Sequence, residues 1–176
     1  MGELLMRKIF AAAAAVTVAV ALSCTGGTTT ARADTKSFKD PKPHITKVTV
    51  NHGATNIKIT TKTGKYRIGS YFIVYLDTDP ANPGPEFRND IYPNSEVAPL
   101  KRVEKFGQQG KTAACDGLRA SADAFGPKKV TLTVPRSCVG DPSKVRVSVR
   151  GYFDVKGPNV IDWAPGKKKF TGWVRR

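Results

Sequence analysis

The stretch Lys144-Val145-Arg146-Val147-Ser148-Val149-Arg150 alternates strictly between valine and a polar side chain. Successive side chains point to opposite faces along a strand but not along a helix, so the pattern predicts a half-buried strand, valines inward and polar residues toward water. The period recurs. Val48 and Val50 alternate with Lys47 and Thr49, and Asn51-His52-Gly53-Ala54-Thr55-Asn56 reads as the turn into Ile57-Lys58-Ile59-Thr60, the second arm of a hairpin. Val130-Thr131-Leu132-Thr133-Val134 repeats the alternation. Tyr71-Phe72-Ile73-Val74-Tyr75-Leu76 is apolar throughout, as expected of a central strand covered on both faces. Residues 97–106 and 118–125 read as shorter strands. No stretch carries a sustained helical period with caps, and the 16 glycines and 12 prolines fall at loop-like intervals. Short strands between frequent turns predict an all-β fold, an antiparallel β-sandwich forming a single domain over residues 44–176.

The N-terminus bears on compartment. Arg7 and Lys8 precede an apolar run over residues 9–22, and Ala31-Arg32-Ala33 offers an A-x-A cleavage site. The run is shorter than the roughly 20 residues a spanning helix needs, so residues 1–33 read as a secretory signal peptide. A second reading stays open: Ala21-Leu22-Ser23-Cys24 places a cysteine after small residues, as in a bacterial lipoprotein acylated at Cys24. Both readings put the rest of the chain outside the cytoplasm, secreted or anchored, and no later apolar run predicts a transmembrane helix. Residues 34–43, polar and proline-punctuated, read as a leader.

Cleavage after Ala33 leaves 143 of the 176 residues and two of the three cysteines, Cys115 and Cys138. An even pair in an oxidising compartment predicts a disulfide. Of the 29 Lys and Arg, Arg7, Lys8 and Arg32 leave with the signal peptide, and of the 14 Asp and Glu, Glu3, so 26 basic residues face 13 acidic ones, a net +13. Such a field attracts polyanions: wall polymers, anionic lipid headgroups, nucleic acid or an acidic protein. It also serves plain solubility.

The order of these elements carries a resemblance. An alternating hairpin leads to a hydrophobic strand ending in Asp77-Thr78-Asp79, then a Pro/Gly loop to Gly84-Pro85-Glu86-Phe87. Cys115, Val134-Pro135-Arg136-Ser137-Cys138-Val139-Gly140, the valine strand and Asp162-Trp163-Ala164-Pro165 follow. This resembles a group of small secreted β-sandwich proteins of Gram-positive bacteria, which brings no activity with it. More distantly it resembles sandwich modules related to family-nine carbohydrate-binding domains, which implies ligand binding without naming a ligand.

Three constellations carry chemistry. Asp77, Asp79, Asn82, Glu86 and Asp90 crowd one loop, and calcium takes about six to eight oxygen ligands, so Asp77, Asp79 and Glu86 are candidate metal ligands. Ala81 and Arg88 fall where a helix–loop–helix calcium site needs ligands, and the preferred reading is that these carboxylates satisfy turn amides and pair with Arg88. The two histidines, His44 and His52, have no nucleophile elbow, zinc spacing or phosphate loop beside them, and His52, in a turn, is expected to face solvent. The third constellation is C-terminal: Lys167, Lys168, Lys169, Trp173, Arg175 and Arg176 combine ring faces with cations and form the candidate ligand-binding edge. Trp163 reads as a strand-end core residue and Trp173 as the more exposed ring. No nucleic-acid motif accompanies them, so sequence-specific binding is not expected. The expectation is a non-catalytic binding or structural module for an anionic or carbohydrate envelope polymer. The alternative is a secreted effector or inhibitor that inserts the Pro135-Arg136-Ser137-Cys138 loop into a protein partner.

Overall fold

The computed structural model describes residues 33–41, 44–126 and 128–176; the signal-peptide and Cys24 readings lie outside them. The described residues form twelve strands in two antiparallel sheets, so the fold is an all-β sandwich. One sheet orders β1 (Asp34–Lys39), β2 (Ile45–His52), β3 (Asn56–Thr63), β9 (Lys129–Pro135) and β8 (Arg119–Ala122) side by side. The other orders β11 (Val160–Ala164), β10 (Lys144–Phe153), β4 (Tyr71–Asp77), β5 (Phe87–Ile91), β6 (Lys101–Arg102) and β7 (Lys111–Thr112), with β12 (Val174–Arg175) also on β10. Residues Ala31–Arg176 make one compact unit.

The alternating patterns set the core as expected. Val48, Val50, Ile57, Ile59, Val130, Leu132 and Val134 from the first sheet meet Phe72, Val74, Leu76, Phe87, Val145, Val147, Val149 and Phe153 from the second. Each large side chain fully buried there contributes roughly 1.5–3 kcal/mol. β4 lies between β10 and β5 and is buried along almost its whole length, as its unbroken apolar run predicts. Residues 97–106 and 118–125 contain only the short β6 and β8.

Three expectations are corrected. The first part of the 34–43 leader is the edge strand β1, registered from Asp34 opposite His52 to Lys39 opposite Lys47. Its sequence hides this because the ladder is made by backbone, and only Phe38 packs on the core. Lysine-bearing edge strands resist further pairing. His52 does not face solvent: it ends β2 fully buried, its Nδ1 3.2 Å from the Val174 carbonyl. Burial first, and then the charges of Arg136 and Arg176, hold it below its ordinary pKa against the opposing effect of that hydrogen bond.

The polar face of β10 is only partly open to water: Lys144, Arg146, Arg150 and Tyr152 are half-buried. Ser148 is fully buried, because residues 103–110 and 165–171 fold back over this sheet. The Gly107 amide donates to the Tyr75 hydroxyl at 3.2 Å, and Arg88 donates to the Gln108 carbonyl at 2.7 Å. Thr171 and Val147 exchange bonds, amide to carbonyl at 2.8 Å and amide to Oγ1 at 3.1 Å.

Candidate functional site

β11 and β12 occupy successive lengths of the same edge of β10. Ala164 sits opposite Val149, Thr171 bonds Val147, and Val174 sits opposite Val145. Ala164 and Thr171 are separated by more residues than the ladder can absorb, so residues 165–170 are extruded as a loop. The loop opens with the cis Ala164–Pro165 bond and closes a turn through the Lys169 amide and Gly166 carbonyl at 3.0 Å. Lys168 adopts a left-handed φ of 55°, uncommon for a residue with a side chain.

This loop roofs a cavity of about 440 Å³ lined by Tyr75, Phe106, Gly107, Arg150, Ile161, Trp163, Lys167 and Lys168. Strand alternation aims the lining. Arg150 and Trp163 are register partners on β10 and β11, and Arg150 is opposite Ile73 on β4, two residues from Tyr75. Tyr75 is fully buried and forms the floor, with its ring nearly parallel to Trp163 at 6.0 Å and 8°. Phe106 stands edge-on to both rings, 4.9 Å from Tyr75 and 5.8 Å from Trp163. Phe106 and Trp163 are half-buried, so part of each ring is accessible. Gly107 follows with φ 87°, a turn that glycine takes without steric cost.

The cations are arranged around the rings. The Arg150 guanidinium carbon lies 5.9 Å from the Trp163 centroid, and its Nε is buried without a hydrogen-bond acceptor. Burying a charged donor unpaired is costly. Lys167 and Lys168 stand exposed at the mouth. A second depression of about 300 Å³ adjoins across Phe106 and Lys168 and is bordered by Pro83, Pro85, Glu104, Lys105, Arg146 and Phe170. Together the two depressions offer ring faces for stacking and cations for anionic groups.

The C-terminal constellation is thereby divided. Lys167 and Lys168 reach the cavity, whereas Lys169 is exposed outside its lining. Trp173 is half-buried under two cations, with Arg146 4.6 Å and Lys144 5.0 Å from its ring centroid, and its carbonyl accepts from Lys36 at 3.1 Å. Arg175 and Arg176 are exposed near β12, away from the cavity. Trp163, read from sequence as a core residue, instead turns its ring to the cavity. The missed signal is phase: Val160, Asp162 and Ala164 take one face of β11, which leaves Ile161 and Trp163 on the other. Phe106 and Tyr75 carried no sequence signal for this site.

The acidic loop is occupied internally. Asp77 is fully buried and accepts from Arg146 at 2.7 and 2.6 Å. Its burial raises the carboxyl pKa, and Arg146 opposes that rise. Glu86 accepts from the Thr78 amide at 2.7 Å, and Asp79 from the Ala81 amide at 2.9 Å. Burial raises the Glu86 pKa as well. Arg88 pairs with this group as expected, through Asp90 at 2.8 Å, and Asp90 also accepts from Lys101 at 3.0 Å. Among the described residues no three His, Cys, Asp or Glu gather to hold a metal ion.

Cys115 and Cys138 form a disulfide with Cα atoms 5.1 Å apart, tying the segment before β8 to the 3-10 turn Arg136–Val139 after β9. The loop is not free to present its arginine: Arg136 is buried and donates to the carbonyls of Ala54, Asp141 and Pro142 at 2.9, 3.0 and 3.0 Å. No protein-family model, curated protein or solved structure matches this chain.

Proposed function

We propose that the chain is a non-catalytic binding module for an anionic polymer with ring-shaped units, a charged carbohydrate of the cell envelope. One unit packs against the accessible parts of Phe106 and Trp163 while its acidic group meets Arg150, Lys167 and Lys168. The observation that carries this reading is the lining, where the half-buried rings of Phe106 and Trp163 stand beside the Arg150 guanidinium and the exposed Lys167 and Lys168. The lining supplies rings and cations, which hold a ligand; a hydrolase of sugars works instead with paired carboxylates.

Export is part of the proposal. The A-x-A site ends at Ala33, immediately before β1, so cleavage there would leave the first strand intact. A disulfide also suits an oxidising compartment. N-terminal sequencing of the exported protein should begin at Asp34; an acyl adduct on Cys24 would replace free secretion with a membrane anchor.

Retention on polygalacturonate and on poly(glycerol phosphate) across a salt series tests the function. Both should bind and weaken with salt, and the ring-bearing polymer should be favoured. Equal retention of the two polymers, unchanged by Trp163→Ala, would leave only nonspecific charge.

A further inference from the structure

A second surface, at the opposite side of the molecule from the disulfide, carries a different signature. The loops 64–70, 92–100, 123–128 and 154–159 gather at the end of the sandwich where β4 begins and β5, β8 and β10 finish. Among the described residues five large hydrophobic side chains stand exposed, and four of them, Ile68, Tyr92, Val97 and Phe125, belong to these loops. Phe125 is 78% exposed and Ile68 56%. Those two border one shallow cavity of about 420 Å³ and so form a single apolar tip. A neighbouring cavity of about 340 Å³ is lined by Lys65, Arg67, Lys128 and Lys156. The two hollows share Tyr66, Arg67 and Asp154, so the cations flank the apolar tip directly.

The loops are held in place by their own bonds. The Tyr66 hydroxyl donates to the Asp123 carbonyl at 2.9 Å, Lys128 donates to the Ala124 carbonyl at 2.8 Å, and Ser70 Oγ accepts from the Asp154 amide at 2.9 Å. Asp123 spends its carboxylate on the Phe125 amide at 2.8 Å. The tip is therefore built, and its exposed hydrophobic area is not that of a loose end.

We propose that this end docks onto the surface of an anionic lipid bilayer, with Ile68 and Phe125 entering the headgroup–acyl boundary and Lys65, Arg67, Lys128 and Lys156 meeting the phosphates. Apolar residues ringed by cations bind interfaces by this division of labour: apolar area enters the boundary while cations draw the surface in. Charge selects the occupant. A second copy would bring the same net positive tip against its equal, four cations outnumbering the carboxylates of Asp123 and Asp154, and repulsion opposes that dimer. A projecting tip also suits a yielding surface better than a preformed protein cleft. Two apolar side chains alone give weak partition, and each nearby cation adds roughly fivefold on an anionic surface. The proposal does not depend on the Trp163 cavity.

The test is co-sedimentation of residues 31–176 with vesicles of phosphatidylglycerol and phosphatidylcholine, and with phosphatidylcholine alone. The anionic vesicles should pull the protein down and the neutral ones should not. Ile68→Ser with Phe125→Ser should reduce partition at least about tenfold with an unchanged circular dichroism spectrum. Lys65→Glu with Lys156→Glu, which leaves the tip in place, should reduce it by a similar factor or more. Lys167→Ala with Lys168→Ala should leave it unchanged. Equal binding to both vesicle types, or full binding by the serine variant, overturns the proposal. So does a wild-type dimer that the serine variant dissolves, which would make the tip a protein contact.

Discussion

Arg146 and Asp77 face each other in register across β10 and β4, and the arginine donates to the carboxylate through both Nε and Nη2, at 2.7 and 2.6 Å. The other face of the relationship is aromatic, since the same guanidinium lies 4.6 Å from the Trp173 centroid and 4.9 Å from that of Phe170. One side chain thus joins the sheet, the extruded loop and the C-terminal strand. It also removes the most promising ligand from the acidic loop.

The two halves of that pair should not be equivalent in mutation. Asp77 has no exposed side-chain surface, whereas Arg146 keeps 27%. Arg146→Ala strands a buried carboxylate and should cost about 3 kcal/mol, the scale for breaking a buried pair. Asp77→Asn leaves a cation that can reach water, and should cost clearly less. Urea unfolding of both variants measures the difference. Because Asp77, Asp79 and Glu86 already have partners, adding calcium should leave the melting temperature unchanged, and an upward shift would mean that calcium binds the native state.

Reducing the Cys115–Cys138 bond, or replacing both residues with serine, should lower stability by roughly 3 kcal/mol on the chain-entropy argument for a loop of this length. Without reductant neither thiol should alkylate. A loss below about 1 kcal/mol would mean that the Arg136 clamp onto Ala54, Asp141 and Pro142 holds the loop by itself.

His52 makes stability depend on pH near neutrality. Its folded-state pKa is lowered from 6.5, so the unfolded chain takes up the proton first as pH falls. The unfolded state then binds more protons, and stability drops as pH passes below the unfolded value. Asp77 and Glu86 act in the opposite sense, their raised pKa values favouring the protonated native state at more acid pH. The urea midpoint should therefore fall between pH of roughly 7.5 and 5.5, where histidines rather than carboxylates titrate. His52→Gln should flatten that slope.

Alternation made the sandwich legible. Val145, Val147 and Val149 announce both a strand and its inward face, and the expected hairpin forms, with Val50 opposite Ile59. The edge strand β1 was illegible because DTKSFK gains its place from backbone bonds to β2, which no side-chain period records. The outward face of β10 misled for a related reason: Ser148 looks solvent-facing until the distant residues 103–110 and 165–171 cover it. His52 was misread in the same way, since the chain that buries it lies beyond residue 170. The cavity needed three facts at once: the local phase of Trp163 and two long-range ones, the return of Phe106 and the extrusion of residues 165–170. Only Lys167 and Lys168 were visible as candidates in advance.

The two tryptophans now carry opposite expectations. Trp173 lies beneath Arg146 and Lys144, so Trp173→Ala should weaken the fold by about 0.5–2 kcal/mol through lost cation–π contact. It should leave polymer affinity nearly intact once folding is complete. Trp163→Ala removes an accessible ring from the cavity and should reduce retention on polygalacturonate by about tenfold, a stacking loss of roughly 1–3 kcal/mol by analogy with bases on aromatic faces. Lys167→Ala with Lys168→Ala should weaken binding and flatten its salt dependence, while Lys169→Ala should do neither, because Lys169 stands outside the lining. Exposed lysines contribute little to stability, so circular dichroism should not distinguish these variants from wild type. If Trp173→Ala abolished retention in a folded protein while Trp163→Ala did not, the ligand would lie along β12, and the cavity beneath residues 165–170 would not be its site.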